Sequence, residues 1–399
     1  MLDRQKPQPS LAEFVIIISS MMSLTALSTD AMLPALAQIG ADLRVQDANN
    51  RQMVVGLLFL GSAVGQLFFG PLSDSTGRKP TVYIGYATYV VGALLSATAA
   101  RFPTMLAGRL LQGLGIAAPR TVILALVRDR YEGRAMARVM SFVMTVFILV
   151  PMAAPSLGQA ILLFSGWRSI FLAFVLLAVT TWAWFGLRMP ETLTPDHRAP
   201  FSLRRILDAT LEIARTRTAL GYTVSAGLVG GAFLGYLNSA QQIYQEQYGL
   251  AERFPLYFSA LAATIGLASL LNARLVMRFG MRLLVRRSLL ATVGLSAAAF
   301  AVSVPLAGHP PLWVLLAYLA MAFFCVGVLF GNQNALAMEP LGHLAGIGSA
   351  VVGSVSTFIS MWVGTLVGQS YDGTVLPLIV GIAVPAALAI PVVRWAESR

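Results

Sequence analysis

Charge is the scarcest thing in this chain. Asp, Glu, Lys and Arg together make up 11% of its 399 residues, against about a quarter in soluble domains. A water-facing globule cannot be covered at that density, so most of the surface must meet something other than water. Cysteine is nearly absent as well. Cys325 stands alone in an apolar stretch, which excludes an intrachain disulfide and suits an inert packing residue. Three histidines, and no H-E-x-x-H, G-x-S-x-G or G-x-x-x-x-G-K run, leave no sign of a metalloprotease, a serine hydrolase or a nucleotide-driven pump. No metal site and no cofactor are expected, and the chain does not read as an enzyme.

What is there is apolar sequence, 57% of the chain. Charge-free windows recur: 14–29, 52–73, 80–100, 139–167, 169–187, 218–245, 254–273, 288–338, 340–371 and 373–393. A helix needs roughly 20 mostly apolar residues to cross a bilayer. The window 288–338 breaks at Ala307-Gly308-His309-Pro310-Pro311 into two spans, and 105–126 makes another if Arg109 and Arg120 are tolerated inside it. The expectation is an all-α membrane protein with twelve transmembrane helices. Ala35-Leu36-Ala37 resembles a signal-peptide cleavage site, but cutting there would remove one span and spoil the even number.

The formal charge of +11 invites a nucleic-acid reading that its distribution opposes. Five cations, Arg44, Arg51, Arg101, Arg168 and Arg253, fall in loops on one side, and Arg109 and Arg120 lie within a span. The other 21 of the 28, among them Arg4, Lys6, Arg78, Lys79 and Arg399, fall on the opposite side or in the tails. That bias places the basic side and both termini in the cytoplasm. The partners expected are the bilayer, with its anionic headgroups, and no nucleic acid.

Residues 188–217 form the longest polar segment, with Pro190, Pro195 and Pro200. Leu203, Ile206, Leu207 and Leu211 keep helical spacing with arginines opposite, which suits a short amphipathic helix on the inner membrane surface. The division expected is a six-helix bundle over 1–187, a cytoplasmic linker over 188–217 and a second six-helix bundle over 218–399. A weak repeat supports it: Met277–Arg282 stands in the second half where Asp74–Lys79 stands in the first. Parallel repeats of this kind put a binding site near midplane between the halves.

Asp30 is the one acidic residue placed inside a span, about 24 Å along the first helix if that helix starts near Phe14. A buried carboxylate is costly there, so it should face the bundle interior and can serve as a proton carrier; the plainer reading is that it reaches the outer water and merely ends the helix before Pro34. Arg109, at a similar depth in span four, is the expected ion partner, because a guanidinium cannot shed its charge. Arg120 lies nearer the inner end. Asp129 is expected to pair with Arg78, and Asp74 to cap a second-half helix, holding the inner side closed; a surface salt network is the alternative. In span five Pro151 and Pro155 bend the helix. Gly227, Gly231 and Gly235 make a close-packing stripe. Tyr236, Asn238 and Gln241, with Asn332 and Gln333, are candidate contacts for a small neutral ligand, or else hydrogen bonds between helices. Met144 is a candidate for an adaptable apolar wall, or plain packing.

Several of these residues also carry a resemblance. Gly70-Pro71-Leu72-Ser73-Asp74-Ser75-Thr76-Gly77-Arg78-Lys79 resembles the G-x-L-x-D-x-x-G-R-K/R loop of the major facilitator superfamily. Ser28-Thr29-Asp30-Ala31-Met32-Leu33-Pro34-Ala35 resembles the S-T-D-M-Y-L-P-A sequence of its Bcr/CflA branch of drug:proton antiporters. Arg109-Leu110-Leu111-Gln112-Gly113 is similar to the branch's R-x-x-Q-G motif, and 154–159 to the antiporter's G-P-x-x-G-G. The resemblance implies a major facilitator fold in a bacterial inner membrane. It implies a monomer that exports small drugs of phenicol, bicyclomycin or sulfonamide type by alternating access, driven by a proton gradient. Asp30 and Arg109 would couple protons, and Gly70, Asp74, Gly77, Arg78, Arg120, Asp129, Pro151 and Pro155 would serve the conformational change. Met22 stands where some relatives carry a second membrane acid, which argues against cationic drugs. Proton-coupled uptake of a metabolite or siderophore is the alternative on the same fold.

Overall fold

The computed structural model describes residues 9–398, so Arg4, Lys6 and Arg399 lie outside it. Among the described residues every regular element is helical. Twelve helices among these residues are long and apolar enough to cross a membrane: spans 1 to 6 are Leu11–Asp42, Ala48–Thr76, Arg78–Ala97, Phe102–Arg130, Gly133–Phe164 and Arg168–Arg188. Spans 7 to 12 are Arg217–Gln247, Phe254–Phe279, Met281–Ser303, Leu312–Leu344, Gly346–Gln369 and Leu376–Glu397.

Local chemistry sets the breaks. Span 1 is α-helical only to Asp30, and the chain then turns through a 3₁₀ segment, Leu33–Ala35, before resuming. Pro34 has no N–H to give the Asp30 carbonyl, which weakens the α-helical ladder at the point where it breaks. Spans 2 and 3 meet at Gly77, whose φ of 113° is open to glycine and strained for other residues. Between spans 6 and 7 lies the helix Leu203–Arg215, capped by Ser202 Oγ accepting from the Arg205 N–H at 3.3 Å. It seats Ala209 and Ile213 while Leu203 and Leu207 stay exposed. Leu203, Ile206 and Leu207 of the expected apolar stripe line a groove with Leu67 and Phe68 of span 2 and Val351 and Val355 of span 11.

Small residues let the spans approach closely. Gly227, Gly231 and Gly235 face Ile359, Val363 and Val367 of span 11, so the glycine stripe of span 7 is a packing seam. A Cβ at Gly113 of span 4 would collide with the Leu58 backbone of span 2. The two halves of the chain touch along two seams. In one, Ser354 Oγ of span 11 donates to the Ala63 carbonyl of span 2 at 2.6 Å. In the other, Ser259 of span 8 donates to the Met152 carbonyl of span 5, between Pro151 and Pro155.

Candidate functional site

Asp30 ends the α-helical part of span 1 and is buried, 6% exposed. The reading in which it reaches open water is therefore overturned. The break after it brings span 5 close, since a Cβ at Gly158 would strike the Ala31 carbonyl. Tyr236 of span 7 lies within electrostatic reach of the carboxyl. Among the described residues no hydrogen bond or ion pair holds that carboxyl.

Arg109 is wholly buried on span 4, and here the structure corrects the sequence reading. The expected ion pair with Asp30 is not formed. Arg109 Nε donates to the Val54 carbonyl at 2.9 Å, one terminal nitrogen to Gln112 Oε1 at 3.0 Å, and the other to the Ser28 carbonyl at 2.8 Å. The Phe171 ring lies 5.7 Å from the guanidinium. Three neutral oxygens and an aromatic face satisfy the planar fork without an anion. Ser28 itself shares a 2.6 Å bond with the Tyr89 hydroxyl. The arginine thus ties spans 1, 2 and 4 together two residues before Asp30, at the depth expected, but through backbone instead of through charge.

The candidate ligand contacts are drawn to different neighbours. Tyr236 packs among Phe323, Phe258, Phe233 and Tyr244, with ring centroids 4.7 to 6.5 Å apart. Asn238 Nδ2 donates to the Gly364 carbonyl at 2.8 Å, and Gln241 Nε2 to Gln245 and Glu246. Asn332 and Asn272 of span 8 exchange amide bonds, the shorter 2.9 Å. Gln333 Nε2 reaches Ser225 Oγ at 2.7 Å. Met144 is exposed on span 5. Asn332 thus takes the plainer role of helix-to-helix bonding. Asn238 and Gln333 do so with one amide atom each, Gln241 bonds only within its own span, and the side-chain oxygens of all three stay buried without a partner among the described residues.

On the basic side, Arg78 binds Asp74 Oδ1 at 2.5 Å, Ser73 Oγ at 2.9 Å and Asp129 Oδ2 at 3.0 Å. The Arg78–Asp129 pair matches the expectation. Gly70 faces Ala350 across the halves, and Asp74 Oδ2 lies beside Gly346 in the first turn of span 11. Arg120 lines a cavity of about 170 Å³ in the same region. Sequence reasoning passed over Glu191, whose carboxylate accepts the backbone N–H groups of Arg78 and Lys79 at 2.9 and 3.0 Å. An acid there answers the positive end of span 3. The signal for it is an acid soon after span 6, but only the fold shows which helix end it meets.

A second polar cluster, also passed over, seals the halves on the opposite side. Asn49 Nδ2 donates to the Gln369 and Tyr371 carbonyls, Gln242 Nε2 to Asn49 Oδ1, and Gln52 Nε2 to Gln242 Oε1, all within 2.8 to 3.1 Å. Arg51 pairs with Glu246 at 3.1 Å.

This arrangement of spans and seams can be compared with known proteins. Residues 11–396 match the model of the Major Facilitator Superfamily. The chain belongs to that superfamily. Its members are transporters rather than enzymes, and this one is a multi-pass membrane protein. Among relatives, an uncharacterized MFS-type transporter, YdgK, of Bacillus subtilis (strain 168) is 29% identical over 367 residues, covering 91% of this chain and 90% of that one. The bicyclomycin resistance protein homolog of Haemophilus influenzae is 28% identical over 405 residues, covering 98% of each. The crystal structure of the human organic anion transporter MFSD10 (TETRAN) superposes with a TM-score of 0.73 at 17% identity, covering 98% of this chain and all of that one. That likeness speaks for the fold.

Proposed function

We propose that this major facilitator protein exports small drug-like molecules from the bacterial cytoplasm across the inner membrane in exchange for protons, with both termini inside. The observation that carries the reading is Asp30: a buried carboxyl at the break of span 1, with no cation among the described residues to hold its charge. A carboxylate without a counter-ion is expensive in a membrane, so it gains from taking up a proton when no ligand balances it. The likeness to a bicyclomycin resistance homolog supports a drug as cargo.

In this scheme Asp30 is protonated from outside, the halves rock, and drug arriving from the cytoplasm displaces the proton. Arg109 acts indirectly, fixing the backbone of Ser28 and so the direction of the Asp30 side chain. Tyr236 and the rings around it offer the flat apolar wall, and the spare carbonyl oxygens of Asn238, Gln241 and Gln333 would accept from N–H or O–H groups on the cargo. Each elementary charge moving down 100 mV supplies about 2.3 kcal/mol, and the pH gradient adds to it. No bound cofactor is needed, and the working unit is a monomer.

The test uses energised inverted vesicles carrying the protein. Adding a phenicol or bicyclomycin should release protons from the lumen, and the Asp30→Asn protein should release none. Unchanged release in that variant would overturn the assignment, and labelled drug leaving the lumen instead of entering it would favour uptake.

A further inference from the structure

The groove beside the linker helix has walls that suit neither water nor a polar cargo. Leu203, Ile206, Leu207 and Thr210 of that helix line it, with Leu67 and Phe68 of span 2 and Val351 and Val355 of span 11. Thr210 is the one polar side chain among them, and its hydroxyl donates to the Ile206 carbonyl at 2.8 Å. No lining side chain is left to hold water or to orient a polar drug. Span 2 belongs to the first half of the chain, span 11 to the second, and the helix to the connector between them.

Depth, size and charge narrow the occupant. Leu67 and Phe68 lie nine and eight residues before the basic-side end of span 2 at Thr76, about 12–14 Å along the helix. Val351 and Val355 lie five and nine residues into span 11 from Gly346. At that depth the surroundings are acyl chains of the leaflet on the basic side. A volume of about 240 Å³ is too small to seat a helix, which is about 10–12 Å across with its side chains, but it admits a single hydrocarbon chain. Phe68, Leu203 and Leu207 are exposed at its mouth. Arg204 stands on the rim, roughly a quarter turn from Leu203. It is exposed and has no ion pair among the described residues, Asp208 one turn on included. The excess of Lys and Arg lies on this side of the chain, so a negative headgroup is the complement.

We infer that the groove holds one acyl chain of an anionic phospholipid, whose headgroup sits at Arg204. The chain packs along the seam of spans 2 and 11, beside the point where Gly70 meets Ala350, and against the linker helix. The helix then has the setting of an interfacial helix, with its apolar stripe on acyl chains and its arginines toward headgroups. Because the walls come from both halves, rocking reshapes the groove, so bound lipid favours the closed seam. The inference rests neither on the identity of the cargo nor on proton coupling.

The experiment is thermal unfolding of the purified, delipidated full-length protein in detergent at constant ionic strength. Dioleoylphosphatidylglycerol is titrated in parallel with dioleoylphosphatidylcholine and with glycerophosphoglycerol, the anionic headgroup without its chains. Saturable stabilisation by phosphatidylglycerol is expected, a rise of at least ~2 °C in Tm. Phosphatidylcholine should give a smaller rise and glycerophosphoglycerol none. The rise should vanish in the Leu203→Gln, Leu207→Gln protein, whose changes fall on exposed side chains that the fold does not depend on. It should persist in Leu172→Gln, Leu176→Gln, a similarly exposed pair one turn apart on span 6. Arg204→Gln should bring the response to phosphatidylglycerol down to that of phosphatidylcholine. No response to phosphatidylglycerol, or an equal one in the Leu203, Leu207 variant, overturns the groove. Equal responses to the two lipids in the parent, or stabilisation by glycerophosphoglycerol, overturn the anionic lipid chain as its occupant.

Discussion

Arg109 keeps its charge among neutral oxygens while Asp30 has no cation, and the two arrangements lead to opposite expectations for substitution. Removing one member of a buried ion pair costs roughly 3–5 kcal/mol. Asp30→Asn should cost nothing of the kind: its melting temperature in detergent should equal or exceed the parent's, although coupling is lost. Arg109→Lys keeps the charge but gives up the planar fork that reaches Val54, Gln112 and Ser28 together. Two or more buried acceptors then go unmet, and stability should fall by about 2–4 kcal/mol in the same assay. A sequence places both residues at one depth, since each position counts 1.5 Å along its helix. It does not show that a guanidinium will prefer backbone carbonyls, because those belong to residues 54 and 28, brought near only by packing.

The helices make their own predictions. Pro34→Ala restores a donor for the Asp30 carbonyl and should let span 1 continue unbroken, raising Tm while lowering drug resistance of cells that express it. Glu191→Ala strips two N–H bonds and a negative charge from the start of span 3, and should cost about 1–2 kcal/mol. The spans themselves were legible because a bilayer demands long apolar runs, and Gly77-Arg78-Lys79 marks a tight turn by chemistry alone. The Arg78–Asp129 pair was legible as well, since two short loops on one side bring the charges together. The outer amide cluster was not. Asn49 and Gln52 lie far in the chain from Gln242 and Gln369, all four look like ordinary polar ends of spans, and nothing in their spacing reveals that they meet. Nor did the spacing of Asn332 show that Asn272 would occupy its amide.

At the scale of the whole molecule, export as proposed requires that the seal opposite the basic side part. The Arg51–Glu246 pair and the Asn49–Gln242 bond cross between the halves, so the Arg51→Gln, Glu246→Gln protein should spend more time open on that side. With Cys325 replaced by alanine and Gln242 by cysteine, an impermeant maleimide added to whole cells should label the double variant faster than its parent; equal rates would remove these groups from the seal. The connector between the halves has its own consequence. The Ala199 N–H is bonded to the Asp74 carbonyl at 3.0 Å, and Glu191 is moored a few residues earlier. The helix Leu203–Arg215 is fastened on the far side, where Glu212 meets His343 at 2.7 Å. Among the described residues only Pro200 and Phe201 lie between the Ala199 anchor and the Ser202 cap, and three peptide steps reach about 11 Å at full stretch. The tether is short enough to act as a brake: any swing that asks for more slack must first pull on the loop that holds Arg78.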